Sequence, residues 1–493
     1  MQKTGRLELT WVGKYEEPSV EPRIILEDTE KSYGDPKSEN MLIHGDNLIA
    51  LQALQQDFAG KIKCIYIDPP YNTGSAFEHY DDNLEHSIWL NMMKPRLVLL
   101  RNLLREDGFM FVQIDDNEQA YLKVLLDEVF GRDCYVNQIV WKRRGGSANP
   151  SNRLNNVTDY ILLYTKTAGT TINPVYTKDD EKTQEYIKKR FTNTTEDGRR
   201  YMVAPIERNE KLGLRENLCY EYKGYTPKWG WMMSKENLER MDKEGRLHWN
   251  SKGRPNRKVF EDEYPGQPVG SLWTDIFVIN PMSNERVDFE GQKPEALIQR
   301  VFMLATEEGD WVLDSFLGSG STAVTAQKMK RKWIGIEMGD QAYSLCKKRL
   351  DATIDGDQSG ISKAVDWQGG GGYHFYELAP SLLVKNDKLP IYQINPSYTF
   401  EMLCEAICKI EGFRYKPKDV FHGHSSEKRF IHITMEFINA GYIKSLSARL
   451  AEGQSLLIYG TKVQSDMVLP DNIDVKKIPK DLLEKCDFES EVQ

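Results

Sequence analysis

The 493-residue chain contains no run of about twenty consecutive apolar residues, which excludes a membrane-spanning helix of the usual kind. Cysteine is sparse: Cys64, Cys134, Cys219, Cys346, Cys404, Cys408 and Cys486 are scattered without a Cys-x-x-Cys pair. That pattern argues against a structural zinc site and fits a reducing compartment. Cys404 and Cys408, four apart, fall on one face of an expected helix and read as core. The phosphate-binding run Gly-x-x-x-x-Gly-Lys-Ser/Thr is also missing, so a nucleotide-driven translocase is not expected within this chain. The opening residues Met1-Gln2-Lys3-Thr4-Gly5-Arg6 carry no apolar leader, and a cytoplasmic location is expected. Positive charge does not dominate: 65 Lys and Arg stand against 74 Asp and Glu, a net charge of −9. Affinity for nucleic acid follows the cations that reach phosphates rather than the whole-chain sum, so this balance excludes little. The length suits two or three domains with a sizeable core.

What the chain does have begins with Ile65-Tyr66-Ile67-Asp68-Pro69-Pro70-Tyr71-Asn72-Thr73-Gly74, a short apolar strand ending in Asp-Pro-Pro-Tyr. This arrangement suits methylation of an exocyclic amino group, whose lone pair is delocalised into its base ring. Acceptors that hold the amino hydrogens out of the ring plane return that lone pair to the nitrogen. Asp68 can supply one acceptor and the Pro69 carbonyl another. Pro69 and Pro70 fix φ, so the acceptors need little reorganisation. Tyr71 offers a flat face for an extruded base. The plainer alternative is a turn after a strand.

A second motif lies far downstream. Trp311-Val312-Leu313-Asp314-Ser315-Phe316-Leu317-Gly318-Ser319-Gly320-Ser321-Thr322 reads as a strand, a glycine-rich turn and the start of a helix. Gly318 and Gly320 let the backbone approach a bound cofactor where the helix begins. The next strand, Trp333-Ile334-Gly335-Ile336-Glu337, ends in an acid able to take two ribose hydroxyls. The third glycine of the dinucleotide fingerprint is missing, which favours S-adenosylmethionine over a pyrophosphate ligand. A tight turn with no ligand is the alternative.

Together the two motifs, in this order, resemble the circularly permuted β-group amino-methyltransferases of DNA, including the modification (Mod) subunits of type III restriction systems. The resemblance covers roughly residues 1–380. It takes in Met41-Leu42-Ile43-His44-Gly45-Asp46-Asn47-Leu48, Gly108-Phe109-Met110-Phe111-Val112-Gln113-Ile114-Asp115-Asp116-Asn117-Glu118, Asp159-Tyr160-Ile161-Leu162-Leu163-Tyr164 and Gln292-Lys293-Pro294-Glu295-Ala296-Leu297-Ile298. It implies an α/β, Rossmann-like, S-adenosylmethionine-dependent methyltransferase fold with a circularly permuted doubly wound sheet. It also implies catalytic roles for Asp68, Pro69, Pro70 and Tyr71. Cofactor contacts are implied for Asp46, Lys293, Asp314, Phe316, Gly318, Gly320, Thr322 and Glu337.

The expected organisation is an N-terminal arm (1–40), a catalytic half (41–170), an insertion (171–272), a cofactor half (273–368) and a C-terminal accessory α/β domain (373–493). Strands alternating with helices predict a parallel sheet, with Asp46, Asp68, Asp314 and Glu337 on one rim. The insertion carries roughly twenty Lys and Arg with Tyr220, Tyr222, Tyr225, Trp229, Trp231 and Trp249 among them, which suits stacking on nucleic acid. In the resembled family the target-recognition segment lies there; the alternative is a solvated unit with its own small core. The basic run Trp141-Lys142-Arg143-Arg144-Gly145-Gly146-Ser147 reads as a flexible loop.

Several acids invite a second reading. Asp46 can cap the helix that follows it, and Lys293-Pro294 reads as an ordinary helix start. Asp115, Asp116 and Glu118 resemble a divalent-metal cluster, but sulfonium chemistry needs no metal and Asp116 suits a helix cap. His422-Gly423-His424, without further spaced ligands, reads as a loop. The expected activity is transfer of a methyl group to N6 of adenine in double-stranded DNA. N4-cytosine methylation, an RNA or protein substrate, and a non-catalytic DNA-specificity subunit are the alternatives. Nothing resembles the Pro-Cys nucleophile of ring-carbon methylation. A homodimer and a restriction/helicase partner subunit are expected from the resemblance alone.

Overall fold

A computed structural model describes residues 8–16, 20–72, 86–144, 154–386 and 388–488. Residues 1–6, Thr73, Gly74 and Gly145–Ser147, named above, lie outside them. Pro174–Gly270 form one compact unit and the remainder of the chain another.

In the larger unit, eleven strands of the described residues form one sheet. In chain order they are β1 (Ile25–Glu27), β2 (Tyr33–Gly34), β3 (Met41–His44), β4 (Ile62–Ile67), β5 (Leu104–Ile114), β6 (Tyr135–Lys142), β7 (Thr158–Thr165), β8 (Leu272–Trp273), β9 (Trp311–Asp314), β10 (Lys332–Glu337) and β11 (Gly372–Leu378). Their spatial order is β1-β11-β3-β10-β9-β4-β5-β7-β6-β8, with β2 on β11. The run from β11 to β5 is parallel throughout. β7 is antiparallel to both β5 and β6, so the expected all-parallel sheet is mixed at that side. The two downstream strands β9 and β10 insert between the upstream strands β3 and β4, which brings the halves of a permuted chain together.

Two groups of helices cover the sheet, as a doubly wound fold requires. Helices α1 (Asn47–Phe58), α2 (His86–Leu103) and α3 (Gln119–Phe130) pack in succession, as do α4 (Glu295–Ala305), α5 (Ser321–Lys328) and α6 (Lys348–Ile354). Met41, Ile43, Ile65, Ile67, Met110 and Val112 join the core beneath α1–α3. Their strand neighbours Leu42, Cys64, Tyr66 and Phe111 are equally buried and point to the other face by alternation. Burial on both faces is why these strands read as unbroken apolar runs.

The edges of the expected domains shift. Part of the expected N-terminal arm (1–40) is built into the larger unit: β1 and β2 extend the sheet along β11, and Ile24 is buried in the C-terminal core. Likewise the first residues of the expected C-terminal domain form β11, paired with β3, because Tyr373 and Phe375 continue the buried alternation past the glycine run. Beyond them, a five-stranded sheet packs with the helix Phe400–Ile410, whose Leu403, Cys404, Ile407 and Cys408 are all buried. His422, Gly423 and His424 lie within its strand Phe421–Ser426 rather than in a loop.

The smaller unit holds a four-stranded antiparallel sheet in the order Leu247–Trp249, Pro255–Phe260, Arg200–Pro205, Asn193–Thr194, with helices Glu181–Arg190 and Lys235–Lys243. Trp231 and Tyr222 are buried in its core, with Tyr220, Tyr225 and Trp249 packed against them. Trp229 is half-buried. The aromatics expected to stack on nucleic acid are therefore mostly what holds this unit together.

Candidate active site

Along the rim, Asp46, Glu337, Asp314 and Asp68 stand at or just past the ends of β3, β10, β9 and β4, four neighbouring parallel strands. A cavity of about 980 Å³ opens at the β4 and β9 ends. Asp68, Pro69, Pro70 and Tyr71 line it from one motif; Asp314, Phe316, Gly318 and Thr322 line it from the other, with Lys293 between. Asp46, Gly320 and Glu337 are not on its wall.

Asp68 is largely buried, and its two carboxylate oxygens differ. Oδ2 pairs with the Lys293 ammonium, whereas Oδ1 is buried without a hydrogen-bond partner. Lys293, expected at the cofactor, thus pairs with the Asp68 turn; it also donates to the Gly291 carbonyl at 3.1 Å and sits 5.2 Å from the Tyr71 ring centre. The turn after Asp68 is pinned from behind. Pro70 O accepts from Trp89 Nε1 at 2.8 Å, and Asn72, at φ +58°, donates to the buried Glu118 at 2.7 Å. His86 Nδ1 meets the same Glu118 oxygen at 2.6 Å.

Tyr71 is tied down by its hydroxyl. It donates to Asp159 Oδ2 at 3.3 Å and accepts from Gln113 Nε2 at 3.0 Å. Gln113 also donates to Asp159 Oδ2 at 3.1 Å and accepts from Tyr66 Oη at 2.5 Å. Burial pushes the Tyr71 phenol well above its ordinary pKa and raises the Asp159 carboxyl, against which Lys293 and Arg143 act.

On the wall formed by the second motif, Gly318 adopts φ +55° and Gly320, behind it, φ +83°, left-handed conformations that favour glycine. A Cβ on Gly318 would come within 3.2 Å of the Phe289 ring. Asp314 is closed: Oδ2 accepts from Thr322 Oγ1 at 2.6 Å and Oδ1 from the Phe316 amide at 2.9 Å. Burial pushes its carboxyl up to about 7. Glu337, expected to meet a ribose, accepts from the Gly318 amide at 2.6 Å, the Gly339 amide at 3.0 Å and Gln341 Nε2 at 2.9 Å. It shapes the glycine turn from behind.

Asp46 does cap α1, accepting from the Ile49 amide at 3.0 Å, and pairs with the buried Arg96 at 3.1 Å. Asn47 links Arg96 to the Ser315 carbonyl across the permuted halves. Asp116 caps no helix: α3 starts at Gln119, and Asp116 accepts from Asn156 at 2.5 Å. Asp115 accepts from the Asn117 amide at 3.0 Å, and Glu118 serves the Asn72 turn, so the three acids have separate partners. Pro294 stands at the start of α4, as expected.

The sequence motif of the DNA methylase family matches residues 62–348, from β4 to the start of α6. The chain is 36% identical over 454 residues to the probable type III restriction-modification enzyme HindVI Mod subunit of Haemophilus influenzae, covering 78% of this chain and 59% of that protein. It is 30% identical over 370 residues to the type III enzyme StyLTI Mod subunit of Salmonella typhimurium, covering 67% and 54%. It is 32% identical over 365 residues to the type II methyltransferase M.EcaI of Enterobacter cloacae, covering 70% and 78%. The chain therefore spans a little over half the length of the two Mod subunits. The matched span carries both walls of the cavity, the Asp68 turn and the glycine turn, and the chain belongs to the DNA methylase family.

Proposed function

We propose that this chain transfers a methyl group from S-adenosylmethionine to N6 of adenine in double-stranded DNA, at a specific sequence. The observation that carries the reading is Asp68 Oδ1, a buried acceptor without a partner on the cavity wall beside Tyr71. A buried acceptor left open is costly unless a ligand completes it. An exocyclic amino group supplies the N–H it needs.

Lys293 fixes Oδ2, so Oδ1 is the carboxylate oxygen offered to the amine. With Asp68 and the Pro69 carbonyl holding its hydrogens out of the base plane, the amino nitrogen recovers its lone pair for attack on the methyl group. Tyr71, anchored through its hydroxyl, presents a ring against which an extruded base stacks. The residues present also fit the cofactor. The glycine turn brings bare backbone to the wall, and the cavity stands near the top of the range for ligand sites, roughly 300–1,000 Å³, with room for base and nucleoside together. When bound, S-adenosylmethionine supplies an already activated methyl group, so no nucleophile on the chain is required. Positioning and electrostatics then provide most of the acceleration.

The names of the Mod relatives support a role as the modification chain of a restriction-modification system, with a restriction partner subunit. A homodimer, a cytoplasmic location and target recognition by Pro174–Gly270 complete the proposal. Exposed cations such as Lys188, Lys211, Lys228 and Lys252 support DNA contact by that unit.

The test is transfer of labelled methyl from S-adenosylmethionine to unmethylated genomic DNA, with product nucleosides separated. N6-methyladenine is expected. N4-methylcytosine would refute the base, and no incorporation by a chain that binds the cofactor would refute the substrate.

A further inference from the structure

Behind Tyr71 lies a buried polar group that the proposed chemistry does not use. Asp159 is the second residue of β7 and is fully buried, a position a carboxylate occupies only with a purpose or a partner. Its Oδ2 takes the Tyr71 hydroxyl at 3.3 Å and Gln113 Nε2 at 3.1 Å. Its Oδ1 has no hydrogen bond, and Arg143 Nε stands 3.3 Å away, also without one. Gln113 is itself held by Tyr66 at 2.5 Å. β4, β5 and β7 are consecutive neighbours, so Gln113 of β5 and Asp159 of β7 both reach the hydroxyl of Tyr71, which follows β4.

We infer that Asp159 is a positioning residue for the stacking platform: with Gln113 it fixes the Tyr71 ring through its hydroxyl, and its negative charge enriches that ring's face. Phenol donation to a carboxylate places more electron density on the ring, which strengthens stacking and attraction for a cation above it. The Lys293 ammonium, 5.2 Å from the ring centre, is the cation that such a face meets. Arg143, on the wall of the same cavity, balances the buried charge. This inference rests on the proposed methyl transfer and adds to it a residue of the cavity wall that acts through Tyr71.

The experiment measures single-turnover methyl transfer to duplex DNA at saturating DNA and cofactor, using full-length wild type, Asp159→Ala, Tyr71→Phe and the double variant. Alongside it, 2-aminopurine at the target position reports stacking by its quenching. Each single change should slow transfer about tenfold, the scale of one lost hydrogen bond to a charged group, and raise 2-aminopurine emission. Cofactor affinity should be unchanged. The double variant should be no slower than either single one, because both remove the same contact. Additive losses, or wild-type transfer by Tyr71→Phe, would overturn the inference. Tyr71→Phe keeps the ring and removes only the hydroxyl, so it decides the matter even if Asp159→Ala does not fold. No transfer by wild type would overturn the methyltransferase reading itself, a different failure from normal transfer by every variant.

Discussion

The ends of β4 and β9 are neighbours on the sheet and each delivers an aspartate to the same cavity, yet the two carboxylates are left in opposite states. Asp314 is completed by its own chain, with one oxygen on Thr322 and the other on the Phe316 amide. Asp68 is completed on one side only, by Lys293, and its second oxygen stays open. The first is a joint that shapes a turn; the second keeps an open acceptor on the cavity wall, which the proposed amine would complete. Position on a rim does not separate these roles, but hydrogen-bond accounting does.

The comparison can be broken most severely at Asp68. Asp68→Ala should lower the methylation rate by about 10²–10³-fold, the scale of removing one preorganised electrostatic group, while cofactor affinity measured calorimetrically stays at the wild-type value. A matching loss of cofactor binding would mean that Asp68, like Asp314, is a structural joint. The next effect falls on the cofactor side. Gly318→Asp should weaken cofactor binding by about tenfold or more, because a side chain there meets the Phe289 ring and forces a left-handed φ on a non-glycine residue. Unchanged affinity would place the cofactor elsewhere.

The smallest effect sharpens the account of Asp314. Burial raises its carboxyl from 3.8 to about 7, so between those values the folded chain holds a proton that the unfolded chain has released. Its contribution to stability is therefore full at low pH and is lost as pH rises through about 7. The wild-type melting temperature minus that of Asp314→Asn should fall between pH 5 and pH 8 (about two units below and one above that value). A difference that does not change with pH would show that Asp314 ionises as an ordinary surface acid.

Both motifs are legible in the sequence because each is a contiguous run whose chemistry depends on adjacent residues. What escapes is what neighbouring strands contribute. Gln113 is the one polar residue of the buried stretch 109–114, and Asp159 directly precedes the apolar run 160–164; a buried polar residue so placed is the signal that marks them. Lys293 before Pro294 is legible as a helix start, but its ion pair with Asp68 joins residues 225 apart. The tryptophans and tyrosines of the insertion illustrate the opposite difficulty: composition suggests a binding surface, and only packing reveals a core. The antiparallel course of β7 likewise depends on pairing, which local periodicity does not encode.

The placement of β9 and β10 between β3 and β4 also governs the order in which the molecule can be made. The ribosome delivers β3 and β4 long before the strands that separate them, and until Glu337 has emerged both carry an unpaired edge. Such edges invite pairing with each other or with a second nascent chain. The central sheet therefore forms late, through contacts between distant parts of the chain, a topology associated with slow folding. Fragments ending before β9 would lack Asp314, Phe316, Gly318 and Thr322 of the cavity wall and expose the sheet's middle, so the cavity cannot be assembled from the half that carries Asp68 alone.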